Sequence, residues 1–414
     1  MSRNLWRVIE NAISLLVLQS GNYIVPLVLT PYLIIKLGIA DFGTLSFIIA
    51  INTFFRVFVS YGFDFTATKT IAENHSNLSE ISKVFTDVIF SKLILCIISF
   101  MVLSLLILFF DKFNANNTLL LSYFLLVIAD VFFPAWLFQG LQNMKFITFL
   151  KLLSKFSYVF LVMLVVESGD DIILVPMIEG SIAIIVSLIS IIFGLRYFKL
   201  RFLRVSIKRC LSLIKNSRHV FISKAAVLFY TSLNTVILGL MFSSVVVGYY
   251  SIAEKIYMAA REVFRPFIQA VFPYLASFRK NNYSIFCKYV RYSFFLLLLL
   301  LTAFSMALFY FSEMILDFLM EEDFHNSLDI LKVFSITLLF AIGGFLSSIL
   351  VLDERGTTLS KVTLSTVIVN IILVYPLLMK FGAIGLAYTF LFVQCYHFLI
   401  QLYVNREILT NVKK

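Results

Sequence analysis

Twelve apolar stretches of about 20 residues constrain this chain more than any motif does, at roughly 13–35, 43–66, 86–110, 118–139, 147–166, 172–195, 220–242, 246–275, 292–312, 328–352, 359–379 and 384–404. A run of that length crosses the hydrocarbon of a bilayer as a helix, because in lipid each backbone N–H and C=O must find its partner within the segment. Composition agrees. Hydrophobic residues make up 61% of the chain and charged residues 14%, against about 45–50% and about 25% in soluble domains. The fold class read from this pattern is an all-α polytopic membrane protein. Two runs are irregular: 43–66 contains Arg56, and 246–275 contains Glu254, Lys255, Arg261, Glu262 and Arg265, with Pro266 and Pro273 able to bend it.

Positive charge sets the orientation, because cytoplasmic segments collect Lys and Arg. With the N-terminus inside, that face receives most of the 34 Lys and Arg, among them Lys69, Lys83 and Lys92, then Lys145, Lys151 and Lys155, and the run from Arg196 to Arg218. Acids such as Glu167, Asp170, Asp171, Glu313, Asp317, Glu321, Glu322 and Asp323 gather on the other face. Both termini are therefore expected in the cytoplasm. The net charge of +11 is mostly this topology signal, so no nucleic-acid partner is implied. The segment 196–219 reads as a basic amphipathic connector at the membrane surface, in contact with lipid. It divides a six-helix lobe at 1–195 from a second at 220–414.

An internal repeat supports that division. Shifting the chain by 205 residues pairs Gly43 with Gly248, Ser46 with Ser251, Arg56 with Arg261, Asn77 with Asn282 and Lys83 with Lys288. Leucines coincide by chance in so apolar a chain; an arginine inside a span is costly and rare, and finding one at equivalent depth in both halves is not a composition effect. Six spans per half give a parallel repeat, and two six-helix lobes would enclose a central cavity.

Charges within the spans are the candidate site. Arg56, Arg261, Arg265 and Lys224 are the candidate substrate-binding residues, since guanidinium groups grip phosphate through paired N–H donors and keep their charge. Asp130, Glu254, Glu262 and Lys255 are candidate coupling or charge-balancing partners. Glu254, Arg261 and Arg265, spaced seven and four apart, would share one helical face, with Lys255 and Glu262 on the adjacent stripe. The alternative is internal neutralisation, with Arg56 paired to Asp130 and Arg261 to Glu254 or Glu262.

Other chemistries lack a signature. His75, His219, His325 and His397 are scattered without Cys or Asp at ligand spacing, so neither a metal nor a catalytic constellation is expected. There is no phosphate-binding G-x-x-x-x-G-K-[ST] loop, and hence no expected cofactor. The four cysteines fall in spans or cytoplasmic segments, where disulfides are not expected.

Three stretches carry a family resemblance: "PAWLFQGLQNMKFITFLKLLSK" from 134, where Trp136 and Lys145 read as an interfacial anchor; "PLVLTPYLIIKLGIADFGTLSF" at 26–47; and "NIILVYPLLMKFGAIGLAYT" at 370–389. Together they resemble the bacterial O-antigen and polysaccharide-unit flippases, the Wzx-like group of the superfamily that also contains MATE exporters. The resemblance implies a non-enzymatic flippase of the bacterial inner membrane with a V-shaped central cavity. It would move undecaprenyl-pyrophosphate-linked oligosaccharide repeat units from the cytoplasmic to the periplasmic leaflet by alternating access. The polymerase and chain-length regulator of that pathway would be its neighbours. A cation-coupled MATE-type drug exporter is the second reading, and a polytopic polymerase a distant third, because it would need a larger outside loop.

Overall fold

The computed structural model describes residues 3–75, 77–319 and 325–410, with the side chains of 3–24 and of residues 27, 230, 273, 280 and 281 outside the description. Glu321, Glu322 and Asp323, assigned above to the outer face, lie outside the described residues. All regular structure among the described residues is helical.

Two compact units divide the chain, Met1–Leu228 and Phe229–Lys414. The first opens with α1 (Arg3–Ser60), which is two helices merged across a kink at Gly38, where φ is 79° and ψ 168°. It continues through α2 (Phe63–Glu73), α3 (Leu78–Phe109), the short α4 (Asp111–Asn114), α5 (Asn117–Phe132), α6 (Ala135–Gly140), α7 (Met144–Val165) and α8 (Leu174–Tyr197). α1 packs on α5 and α7, α5 on α8, and α2 on α6. Then α9 (Ile207–Tyr230) runs to the boundary.

The second unit holds α10 (Ser232–Met241), α11 (Ser244–Glu262), α12 (Arg265–Asn281), α13 (Tyr283–Tyr310), α14 (Ser312–Leu319), α15 (His325–Thr337), α16 (Gly343–Leu352), α17 (Gly356–Phe381), α18 (Ala383–Val404) and α19 (Arg406–Thr410). Its core forms where α15 meets α11, α13 and α18, and α17 meets α18. Tyr257 lies there between Phe334 and Phe390, with ring centroids 5.2 and 5.5 Å away.

Nine helices among the described residues are long and apolar enough to span a membrane, and ten if the bent pair at 207–241 is one span. This is consistent with twelve apolar runs. The Gly38 kink joins the first two into one helix, and α11 carries Glu254, Lys255, Arg261 and Glu262 on 19 residues. Large apolar side chains such as Phe100, Leu108, Phe160, Leu299 and Ile372 remain exposed along these helices, as lipid-facing surfaces require.

The repeat is built into the helix ends. The Asn77 side chain accepts the Glu80 amide at 3.2 Å and starts α3; Asn282, 205 residues on, accepts the Ile285 amide at 3.1 Å and starts α13. Each half also breaks its charged helix within about two turns after the paired arginine. In the first half the break is Tyr61–Gly62, both in the left-handed region at φ 45° and 82°, and in the second it is Val263–Phe264. The expected single face carrying Glu254, Arg261 and Arg265 is therefore interrupted: Arg265 opens α12, because the helix bearing Glu254 and Arg261 ends at Glu262.

The connector is attached to the first unit. Amides of Arg201 and Leu203 donate to Ser82 Oγ and Thr86 Oγ1 on α3 at 3.3 and 3.1 Å. Arg209 forks onto the Asp87 carboxylate at 2.8 and 3.1 Å. α9 continues without interruption to Tyr230, so Lys224, which the sequence reading gives to the second lobe, belongs to the first unit.

Candidate cationic site of the first unit

The site begins with a proline. Pro134 has no N–H, so the carbonyl four residues earlier, that of Asp130 at the end of α5, cannot be closed by the helix ladder. Lys92 supplies the missing donor: its Nζ bonds the Asp130 carbonyl at 3.1 Å. The lysine is 3% exposed and sits fourteen residues into α3, about 20 Å from its start at 1.5 Å per residue. The Asp130 side chain takes Arg56 from α1, with Nε donating to Oδ2 at 2.6 Å and Nη2 to Oδ1 at 3.2 Å. Arg56 and Asp130 keep 43% and 30% of their side-chain surface. A pair with that much open surface is not sealed into a core, and a guanidinium has N–H donors beyond the two that Asp130 uses.

A second pair lies beside it. Lys224 of α9 binds Asp64 of α2 at 3.0 Å, and Ser60 Oγ donates to the same carboxylate oxygen at 2.8 Å. Lys92 is within the electrostatic reach of Asp64, Asp130 and Lys224. Lys151 of α7 stands over the Phe133 ring at 4.5 Å and feels Asp130, Arg56, Asp64 and Lys92. Lys155, one turn on, feels Lys151, Glu179 and Arg56. Among the described residues, Arg56, Lys92, Lys151, Lys155 and Lys224 thus share their surroundings with Asp64, Asp130 and Glu179. That local excess of positive charge, in a medium that screens poorly, favours an anion.

The second unit repeats the theme with fewer charges. Arg261 Nη2 donates to Glu262 Oε1 at 3.2 Å, and Arg265 Nη1 to Glu262 Oε2 at 3.3 Å, so one carboxylate serves two guanidiniums. Glu254 Oε2 accepts Thr235 Oγ1 at 3.3 Å. Lys255 lies within electrostatic reach of Glu254. Among the described residues no three His, Cys, Asp or Glu side chains come together as metal ligands would.

Two readings from the sequence change here. Lys92, Lys151 and Lys155 read in the sequence as topology charges, and the structure packs Lys92 among the helices of the first unit, 3% exposed. The signal was present in "VFTDVIFSKLILC", where apolar residues flank the lysine on both sides. Trp136, read as an interfacial anchor, is 1% exposed and packs on Phe85 at 5.9 Å; α6 is drawn into the core against α2, where a Cβ on Gly140 would meet Ile71 Cγ2 at 2.8 Å. Tyr32, in the second quoted stretch, has a local role. Its hydroxyl donates toward the terminal carbonyls of α7, Val166 at 2.6 Å and Met163 at 3.0 Å.

Two relatives carry the name "Putative O-antigen transporter". One, from Escherichia coli (strain K12), is 26% identical over 397 residues, covering 95% of this chain and 96% of the relative. The other, from Shigella dysenteriae, is 25% identical over 389 residues, covering 93% and 96%. Among solved structures, the lipid II flippase MurJ in an inward closed conformation has a TM-score of 0.75 at 16% identity, covering 97% of this chain and 90% of that one. An inward-facing multidrug resistance MATE family transporter has a TM-score of 0.67 at 11% identity, covering 94% and 98%. These likenesses give the fold. The family match extends over residues 8–279, and with it the chain belongs to the polysaccharide biosynthesis protein family.

Proposed function

We propose that this protein is a flippase that carries undecaprenyl-pyrophosphate-linked oligosaccharide repeat units from the cytoplasmic to the periplasmic leaflet of the bacterial inner membrane by alternating access. The observation that carries the reading is the cation-rich interior around Arg56. A pyrophosphate with attached sugars cannot cross about 30 Å of hydrocarbon unaided, and basic side chains with open surface replace the water it would lose. Arg56 and its repeat partner Arg261 are the pyrophosphate ligands in this reading, assisted by Lys224 and Arg265. Asp130 and Glu262 hold the arginines oriented and neutralised until the substrate competes for them. The O-antigen transporter relatives and the lipid II flippase fold support this substrate class. Both termini lie in the cytoplasm in this reading, and the polymerase and chain-length regulator of the same assembly line are its candidate partners.

A MATE-type exporter of cationic drugs shares the fold, but an interior in which cations outnumber acids repels a cationic cargo. The deciding experiment uses a strain lacking this gene. Surface polysaccharide length is read on a gel, and single lipid-linked repeat units in the membrane are quantified. Loss of the ladder with accumulation of units, both reversed by the wild-type gene, is the expected result; a normal ladder in the deletion strain overturns the flippase reading.

A further inference from the structure

The second unit contains a half-buried histidine that plays no part in the arginine site. His397 of α18 lies between two hydroxyls on different helices: Nε2 is 3.2 Å from Ser347 Oγ on α16, and Nδ1 is 3.2 Å from Thr366 Oγ1 on α17. The ring is pressed against α16 where only glycine fits, since a Cβ on Gly343 would stand 2.9 Å from His397 Cδ2.

Hydrogen accounting around the ring is unusual. Ser347 Oγ has one proton, and it points at the Gly343 carbonyl, 3.0 Å away. Thr366 Oγ1 has one, and it points at the Val362 carbonyl, 2.8 Å away. Each hydroxyl then offers the ring a lone pair, and an imidazolium with two N–H groups satisfies both at once. A neutral imidazole has one N–H, so one hydroxyl must turn its proton away from its own helix to the ring. Binding or losing a proton therefore changes bonds that tie α16, α17 and α18 together.

A polar seam leads from this ring to the end of the unit. Gln401 Nε2 donates to Ser347 Oγ at 2.8 Å, and Asn405 Nδ2 donates to Gln401 Oε1 at 3.3 Å. Gln401 and Asn405 are both fully buried, and Asn405 Oδ1 has no hydrogen-bond partner. A buried carbonyl oxygen in that state is a docking point for water. The charged and titratable groups on the elements packed around α18 are Tyr249, Tyr250, Glu254, Lys255, Tyr257, Arg261 and Glu262 on α11, His325, Asp329 and Lys332 on α15, Lys361, Tyr375 and Lys380 on α17, and Arg406 and Glu407 on α19. Asp353, Glu354 and Arg355 follow α16, and Tyr388, Cys395, Tyr396 and Tyr403 lie on α18 itself.

We infer that His397 is a proton-binding site in the membrane interior of the second unit, filled through the Gln401–Asn405 seam, and that its protonation supplies the ion coupling for transport. The second half of that statement rests on the flippase reading; the proton site does not.

The test has two arms. Full-length protein with 15N-labelled histidine rings is placed in lipid nanodiscs, and the His397 signal is isolated by its absence from His397→Gln. It is expected to pass from a doubly protonated ring to a neutral one between about pH 5 and pH 8. Ser347→Ala with Thr366→Val removes both acceptors and should lower that midpoint by at least about one pH unit. A ring that stays in one neutral tautomer across the range, or a midpoint indifferent to the hydroxyls, overturns the site. In the deletion strain, His397→Gln made at wild-type level should fail to restore the polysaccharide ladder and should leave lipid-linked units accumulating. A restored ladder overturns the coupling, whereas failure of the wild-type gene in the same assay would count against the flippase reading instead.

Discussion

Lys92 closes the helix end that Pro134 leaves open, donating from Nζ to the Asp130 carbonyl at 3.1 Å, while the Asp130 carboxylate grips Arg56 at 2.6 Å. One residue thus joins three elements: a backbone defect in α5, a lysine from the middle of α3 and an arginine from α1. The defect and the site are the same feature, because the proline that breaks the ladder is what makes a buried lysine useful there.

Lys92→Met should destabilise the first unit by about 1–3 kcal/mol, the cost of leaving a buried carbonyl unsatisfied. Pro134→Ala restores an N–H that can reach the Asp130 carbonyl, so the double variant should melt higher than Lys92→Met alone. Thermal unfolding of the purified protein in detergent reads this. Equal melting of the two would mean that the lysine is held by its charge neighbours and not by the open helix end.

Arg56→Ala should abolish ladder formation in the deletion strain, and Arg56→Lys should retain part of it, since lysine keeps the charge and loses the fork. Asp130→Asn leaves Arg56 with a neutral partner. Because both side chains keep open surface, the stability cost should be modest, about 1 kcal/mol. Wild-type ladders from an Arg56→Ala strain would remove this residue from the pyrophosphate role.

Asn77→Ala and Asn282→Ala should each cost about 1 kcal/mol as lost N-caps. Each acts within its own unit, so the double variant should show the sum to within about 0.5 kcal/mol. A marked difference between the two sites would show that the repeated caps do unequal work.

Gly140→Ala forces a methyl against Ile71 and should destabilise by about 1–3 kcal/mol through overpacking. Ile71→Val on the same background keeps the Cγ2 methyl, and Ile71→Ala still leaves its Cβ 2.9 Å and the Thr68 carbonyl 3.0 Å from the added methyl, so neither should recover expression in the membrane fraction. Full expression of Gly140→Ala alone would mean that α6 can shift away from α2.

Much of the architecture was legible along the chain. Apolar runs of membrane length indicate the class, the 205-residue shift pairs Asn77 with Asn282, and Arg56 and Arg261 emerge as a pair because charge inside a span is expensive. The cluster around Arg56 was only half visible. Lys224 was named but assigned to the other half, since the basic segment before it reads as a surface connector; its attachment to α3 through Asp87, Ser82 and Thr86 joins residues more than a hundred positions apart. Lys92 and Lys151 were absorbed into the topology count.

The sequence by itself determined that this chain lives in a membrane, that its halves are related, and that an arginine lies at matching positions in each. Periodicity and the cost of buried charge act locally, and a reader of the chain can apply them residue by residue. Only the tertiary structure decided which charges meet. It put Lys92 on the carbonyl freed by Pro134, Lys224 on Asp64, Trp136 in the core and His397 between two hydroxyls. A hydropathy window averages polarity along one helix, whereas partners for buried polar groups come from helices distant in sequence, so their identity is fixed only when those helices pack.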